Sequence, residues 1–72
     1  VEQQVEEAAV VQELHEMLRV LTAEQRAVVE LRVFAGLSSQ EVSEVVGKPV
    51  GAVKALYRRG LGSLRRHLEL GG

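Results

Sequence analysis

The stretch VGKPVGAVKALYRRG, residues 46–60, decides the fold. Two glycines flank the only proline of the chain within five residues, and four basic side chains (Lys48, Lys54, Arg58 and Arg59) lie here with no acid among them. Glycine takes left-handed backbone without steric cost, so Gly47 is placed to stop a helix. Pro49 cannot continue that helix, but it fits at or near the start of a new one, where its missing N–H has no partner to lose. The segment therefore marks a boundary between two helices joined by a tight turn.

Helix signals extend on both sides. Before Gly47, Ser38-Ser39-Gln40-Glu41 places Glu41 third after Ser38, a capping box opening a helix of about two turns with Val42, Val45 and Val46 inward. After Pro49, a last helix is expected from Val50 toward Leu68, with Val53, Tyr57, Leu61, Leu64 and Leu68 on one side. Gly60 and Gly62 weaken it by roughly 1 kcal/mol each relative to Ala, so a kink or fraying beyond Arg59 is compatible with the sequence. Further back, Thr22-Ala23-Glu24-Gln25 is a second capping box. It opens a helix with Ala27, Val28, Leu31 and Phe34 on one stripe, widened by Val29 and Val33 and ended by Gly36. The leading segment, residues 1–20, carries Val10, Leu14, Met17 and Leu18 at helical spacing, followed by Leu21. The expected fold is all-α, a small four-helix domain with a C-terminal helix-turn-helix and a short tail at residues 69–72. The first residue is Val, so a piece of a longer chain is expected.

Composition narrows the function classes. At 72 residues the chain is one small domain, and its 46% apolar content, with a single Phe, a single Tyr and no Trp, suits helices packed through Val, Leu and Ala. Cysteine is absent, which excludes disulfides and thiolate metal sites. No apolar run approaches the roughly 18 residues of a membrane span, and no signal peptide is legible. No paired nucleophile and base, metal-ligand spacing or phosphate-cradling glycine loop occurs, so neither an enzyme nor a cofactor is expected. His15 and His67 read as surface residues, and Phe34 and Tyr57 as core.

The net charge of −1 hides an asymmetry. Residues 1–36 hold seven Glu against three Arg (−4), and residues 37–72 hold three Glu against six Lys and Arg (+3). No acid occurs between Glu44 and Glu69. A one-sign stretch of that length suits a polyanionic partner. In a helix-turn-helix the short helix braces the unit while the second presents its N-terminal half to the major groove. With Val53 and Tyr57 inward, Lys54, Ala55, Arg58 and Arg59 fall on the outer arc, with Lys54 and Arg58 on one face. Arginine reads guanine through a bidentate pair, and lysine holds a phosphate as a point charge. Arg65 and Arg66 suit phosphate, a protein partner or the helix C-terminus equally. The cluster Glu2, Glu6, Glu7, Glu13 and Glu16 reads as a solvated face, or alternatively as an electrostatic fence against DNA.

The run from Leu21 to Leu68, LTAEQRAVVELRVFAGLSSQEVSEVVGKPVGAVKALYRRGLGSLRRHL, resembles region four, the C-terminal domain, of extracytoplasmic-function (ECF) sigma factors of the sigma-70 family. The resemblance rests on Leu21, Gln25, Arg26, Val29, Leu31, Arg32, Gly36, Leu37, Ser38, Glu41, Gly47, Gly51, Val53, Lys54 and Arg59. It implies a bacterial, cytoplasmic transcription factor that binds the −35 element of double-stranded promoter DNA. The implied protein partners are core RNA polymerase, through the flap of its beta subunit, and an anti-sigma factor. Carried over by position, Arg32, Ser39, Gly51 and Lys54 would approach the DNA backbone, and Ala55, Arg58 and Arg59 would face base edges. Lys48 and Pro49, in the turn, complete the candidate DNA-binding set. Gly51 either lets a phosphate approach the helix N-terminus or eases the turn.

Four positions depart from the family pattern. Ala52 stands for the usual Thr, Ala55 for Ser, Leu56 for Arg and Ser43 for Ala. They bear on base specificity more than on fold, since Ala at a base-facing position still meets a thymine methyl. Two other functions compete with promoter reading. One is a protein-contact module for an anti-sigma factor or polymerase with an eroded DNA surface. The other is a LuxR-type regulator domain, which shares the L-T-x-x-E, G-L-S and V-K elements, although the ending RRGLGSLRR fits sigma factors better. A domain this small is expected to bind weakly alone and to depend on tethering to a second DNA-binding region and to polymerase.

Overall fold

The structure is a computed structural model that describes residues 12–13 and 15–71. After helical turns at residues 12–13 and 15–18 come α1 (Ala23–Val33), α2 (Ser39–Val46) and α3 (Val50–Gly71). No strand occurs among the described residues, and the domain is all-α with α2 and α3 forming a C-terminal helix-turn-helix. Val10, Leu14, Glu2, Glu6 and Glu7 lie outside the described residues.

Both capping boxes form. Thr22 Oγ1 accepts from the Gln25 N–H at 3.1 Å, and the Gln25 side chain accepts from the Thr22 N–H at 3.3 Å. Ser38 Oγ accepts from the Glu41 N–H at 3.1 Å, and Glu41 Oε1 accepts from the Ser38 N–H at 2.9 Å. Each cap satisfies donors that the first turn leaves orphaned, a contribution of about 1 kcal/mol. Gly47 closes α2 in the left-handed region at φ 72°, and Gly36 takes φ 71° in the connection after α1. The turn after Gly47 is held by the Ser43 hydroxyl, which donates to the Lys48 carbonyl.

The core has two parts. Val28, Val42 and Val53, one from each helix, are almost fully buried together, with Leu31, Leu37, Val46 and Leu56 packed around them. Leu18, Leu21 and Val29 form the second part, closed by Leu64. Tyr57 is half-buried and packs against both.

The apolar stripes are narrower than their spacing implied. Val45 was expected inward but is 64% exposed, because an eight-residue helix turns only the Val42–Val46 edge toward α1 and α3. Phe34 is not core. It is 52% exposed at the C-cap of α1, with its ring centroid 6.4 Å from that of His15. Ala27, Val33, Leu61 and Leu68 are also exposed, since the described helices cover only one side of each.

Nor does α3 break at its glycines. It runs unbroken through Gly60 and Gly62 and continues to Gly71, past the tail expected from residue 69. The reason differs at the two positions. A Cβ on Gly60 would lie 2.8 Å from Val29 Cγ2 and 3.6 Å from Gln25 Cβ, so the missing side chain is what brings α3 against α1. A Cβ on Gly62 would meet nothing within 4 Å.

Gly62→Ala should stabilise the domain by about 0.5–1 kcal/mol through helix propensity. Gly60→Ala should leave stability at or below the parent's, because the same gain is offset by overpacking against the stiff, buried Val29. Urea unfolding of the two variants beside the parent decides this, and equal gains would contradict the close-contact explanation. Glu41 titrates below the ordinary glutamate range, because the Ser38 N–H and hydroxyl bond its carboxylate. A depressed carboxylate stabilises fully above its unfolded-state pKa and loses that effect as pH falls through the folded value. The difference in thermal midpoint between the parent and Glu41→Ala should thus be largest near neutrality and shrink on acidification. A constant difference would remove the ionised cap from the account.

Candidate nucleic-acid interface

The site begins with the angle between α2 and α3. Gly47 reverses the chain, Ser43 fixes the Lys48 carbonyl, and Val42 against Val53 holds the helices in contact. The Pro49 carbonyl accepts the first bond of α3, from the Val53 N–H at 3.0 Å. The preceding N–H groups, at Val50, Gly51 and Ala52, therefore have no partner within the ladder. No acid lies in the first turn of α3, so the positive end of the helix dipole is uncompensated there. Gly51 is exposed, and a Cβ there would meet nothing within 4 Å. Internal packing thus gives no reason for glycine at this position.

The candidate residues divide into three groups. Lys54, Arg58 and Arg59 are exposed on the outer arc of α3, and none pairs with an acid among the described residues. Lys54 and Arg58 stand one turn apart, about 6 Å along the axis. Ala55 is half-buried, and helical spacing sets it between Arg58 and Arg59 on the same arc. These residues share one continuous face.

A second group flanks that face. Ser39 is half-buried as the first residue of α2, and Pro49 is exposed just before α3. Lys48 Nζ lies 2.9 Å from Glu24 Oε2, at the start of α1. With both side chains substantially exposed, the pair contributes at most about 1 kcal/mol, and an incoming phosphate competes with it easily.

Arg32 forms the third group alone. Its Nη1 donates to the Leu37 carbonyl at 2.7 Å, and its guanidinium carbon lies 5.1 Å from the centre of the Tyr57 ring. Its Nε is buried without a hydrogen-bond partner among the described residues. The inner part of its head group is thus held against the fold, unlike those of Arg58 and Arg59.

Four contributors to this geometry were not singled out by sequence reasoning as parts of a site. Ser43, read as a mild departure, holds the turn, and Glu24 partners Lys48. Gly60 permits the close helix contact, and Tyr57 carries the Arg32 guanidinium. Three of these are contacts between separate elements, for which no local spacing gives a signal. Ser43 lies five residues before its acceptor, across a turn whose course depends on the left-handed Gly47.

An apolar surface lies farther along α3. Leu61 and Leu64, past Gly60, face Leu18, Val29, Val33 and Phe34 across a shallow groove with a volume of about 200 Å³. No helix is long and apolar enough to cross a membrane, and no cluster of three potential metal ligands occurs among the described residues.

Comparison with known proteins falls on these same elements. The family model for sigma-70, region 4, matches residues 11–64, which take in α1, α2 and most of α3. The ECF RNA polymerase sigma factor SigD of Mycobacterium tuberculosis is 38% identical over 71 residues, covering 99% of this chain and 34% of that protein. SigX of Bacillus subtilis, also named an ECF RNA polymerase sigma factor, is 40% identical over 60 residues, or 83% of this chain and 31% of its own. The RNA polymerase sigma-E factor of Streptomyces avermitilis is 39% identical over 56 residues, or 78% and 31%. The chain thus spans about a third of the length of the curated relatives it matches. From the family match across α1, α2 and most of α3, and from relatives of one kind, the chain belongs to the sigma-70 region 4 family, in its ECF group.

Proposed function

We propose that this domain recognises the −35 element of promoters as part of an alternative, ECF-type sigma factor, and so helps direct where RNA polymerase initiates. The observation that carries the proposal is the outer arc of α3, where Lys54, Arg58 and Arg59 are exposed on the second helix of a helix-turn-helix. None of the three is paired with an acid among the described residues. Basic side chains without acidic neighbours keep their full charge for phosphate and for guanine edges.

In this mechanism the N-terminal end of α3 enters the major groove. The N–H groups of Val50 and Gly51 meet a phosphate along the helix dipole, and the absence of a side chain at Gly51 lets the backbone come close. Lys54 holds a second phosphate. Lys48 exchanges Glu24 for a third, and Ser39, at the start of α2, faces the adjacent strand. Arg58 and Arg59 read base edges, and Ala55 offers an apolar contact suited to a thymine methyl. Specificity then rests on two arginines, and much of the working affinity comes from tethering to core polymerase and to a second DNA-binding region.

Polymerase and an anti-sigma factor are the proposed protein partners. The names of the relatives support the first. The groove edged by Val33, Phe34 and Leu61 suits an apolar segment of either, including one from the beta-subunit flap.

Fluorescence anisotropy on a −35-like and a scrambled duplex across a salt series tests the proposal. With three to five phosphate contacts, log K should fall against log salt with a slope of about −3 to −4.5. Arg59→Ala should weaken binding to the −35-like duplex by about 1–3 kcal/mol and narrow its advantage over the scrambled one. A steep slope with no preference for either duplex would reduce the surface to a general polyanion binder. No binding at low salt would leave protein contact as the function.

A further inference from the structure

We propose that the DNA-binding face continues along α3 past the groove readers, and that Gly62, Arg65 and Arg66 form a second contact, with the phosphate strand flanking the −35 element. The proposal rests on promoter reading for the face that meets DNA, and it adds a site to that face. It starts from two arginines for which spacing left three roles open: phosphate, a protein partner or the end of a helix. The structure removes the last. α3 runs on to Gly71, and its last turn carries no basic residue. Arg65 and Arg66 stand well short of that end, and both are exposed. Neither pairs with an acid among the described residues, not even with Glu69 one turn on, where the basic face ends.

Position on the helix links this pair to the readers. Arg65 comes seven residues after Arg58, and Arg66 seven after Arg59. Seven residues make two turns less about 20°, so each pair lies along one line of the helix, about 10.5 Å apart. From Lys54 to Arg66 the cations cover about 18 Å of one side of α3, with no acid among them. The apolar side of the same arm turns elsewhere. Leu64 lines the groove near Leu18 and Val29, about 160° around the axis from Arg66.

Gly62 is an independent observation. Arg58 and Arg59 precede it by four and three residues, and Arg65 and Arg66 follow it by three and four. Those spacings are the nearest neighbours on a helix surface, so four guanidinium groups surround one glycine. Glycine weakens a helix, yet a Cβ at this position would meet nothing within 4 Å, so internal packing does not account for it. Gly60 is the opposite case, because Val29 lies where its Cβ would be. The bare backbone at Gly62 leaves a recess among planar cations whose forks bind phosphate in a bidentate manner.

The spacing selects DNA as the occupant. The major groove is about 12 Å wide, close to the separation of the two arginine pairs. When Arg58 and Arg59 reach base edges, Arg65 and Arg66 stand near the edge of the groove, where the C-terminal part of a reading helix meets backbone. An acidic protein segment would also suit the charge, but the unbroken arc shared with the readers favours the strand they already approach.

The test measures anisotropy on two duplexes. One carries the −35-like element with a helical turn of DNA, about 10 base pairs, on each side. The other is trimmed to the element and closed as a hairpin. Arg65→Gln/Arg66→Gln should bind the flanked duplex about tenfold more weakly, with a salt slope shallower by about 1.8. Its ratio between −35-like and scrambled flanked duplexes should stay at the parent's, because phosphate contacts carry no sequence information. Gly62→Ala changes no charge. It should melt higher than the parent and still lose affinity severalfold on the flanked duplex, a split that a purely structural role does not produce. Both variants should bind the trimmed duplex as the parent does.

Parent-like binding of the glutamine variant to the flanked duplex would overturn the proposal and leave an acidic protein as the occupant. Equal losses on flanked and trimmed duplexes would also overturn it, by reducing the effect to the general field of the charges. So would parent-like binding by Gly62→Ala. A parent without preference for the −35-like sequence would overturn promoter reading alone. The comparison of flanked with trimmed duplex still decides the second contact, since it uses no base discrimination.

Discussion

One valine from each helix meets at a single point, and the rest of the molecule is arranged by that contact. Val28, Val42 and Val53 are almost wholly removed from water, and each is β-branched with few rotamers to choose from. Three stiff side chains in mutual contact tolerate little change in helix separation or crossing angle. The capping boxes, the left-handed Gly47 and the Ser43 bond to the turn fix local geometry. The valines make those local choices converge on one tertiary arrangement. A domain with a single Phe, a single Tyr and no Trp has no large ring with which to fill an error, so small, rigid residues suit the task.

What was legible in the sequence was local. The two capping boxes, the stop at Gly47 and the restart after Pro49 are short-range hydrogen-bond and backbone constraints, and they appear where their residues stand, whereas α1 ends at a right-handed Phe34 and leaves the left-handed Gly36 to the connection. The breadth of the apolar stripes was not legible. Periodicity names the side of a helix that favours burial but not how much of it a neighbour covers, and so Val45 and Phe34 stand in solvent. The glycines of α3 show the same limit. By propensity Gly60 and Gly62 are alike, and only the approach of Val29 separates a glycine required for packing from one facing open space.

The candidate site divides in the same way. The outer arc of Lys54, Arg58 and Arg59 follows from helical spacing once Val53 and Tyr57 face inward, and the structure leaves all three exposed. Arg32 matched the family pattern as well as any of them. Its setting beneath Leu37 and over Tyr57 depends on two other elements and so had no local signal. Charge balance had a similar blind spot. The acid-free stretch was visible by counting, but the acid nearest Lys48 in space comes from Glu24, at the far end of the motif.

The unbroken course of α3 through Gly60 has a mechanical consequence. From Val50 to Gly71 the helix is a single rod, pinned near its middle where it crosses α1. The basic residues Lys54, Arg58 and Arg59 lie on one side of that pin, and Leu61, Leu64 and Leu68 lie on the other. A rod gripped at two places, by the valines and at Gly60, does not swing freely but passes load from one grip to the other. Whatever takes hold of the leucine arm therefore loads the valine contact that seats the arginine arm, with no hinge or loop needed to carry it.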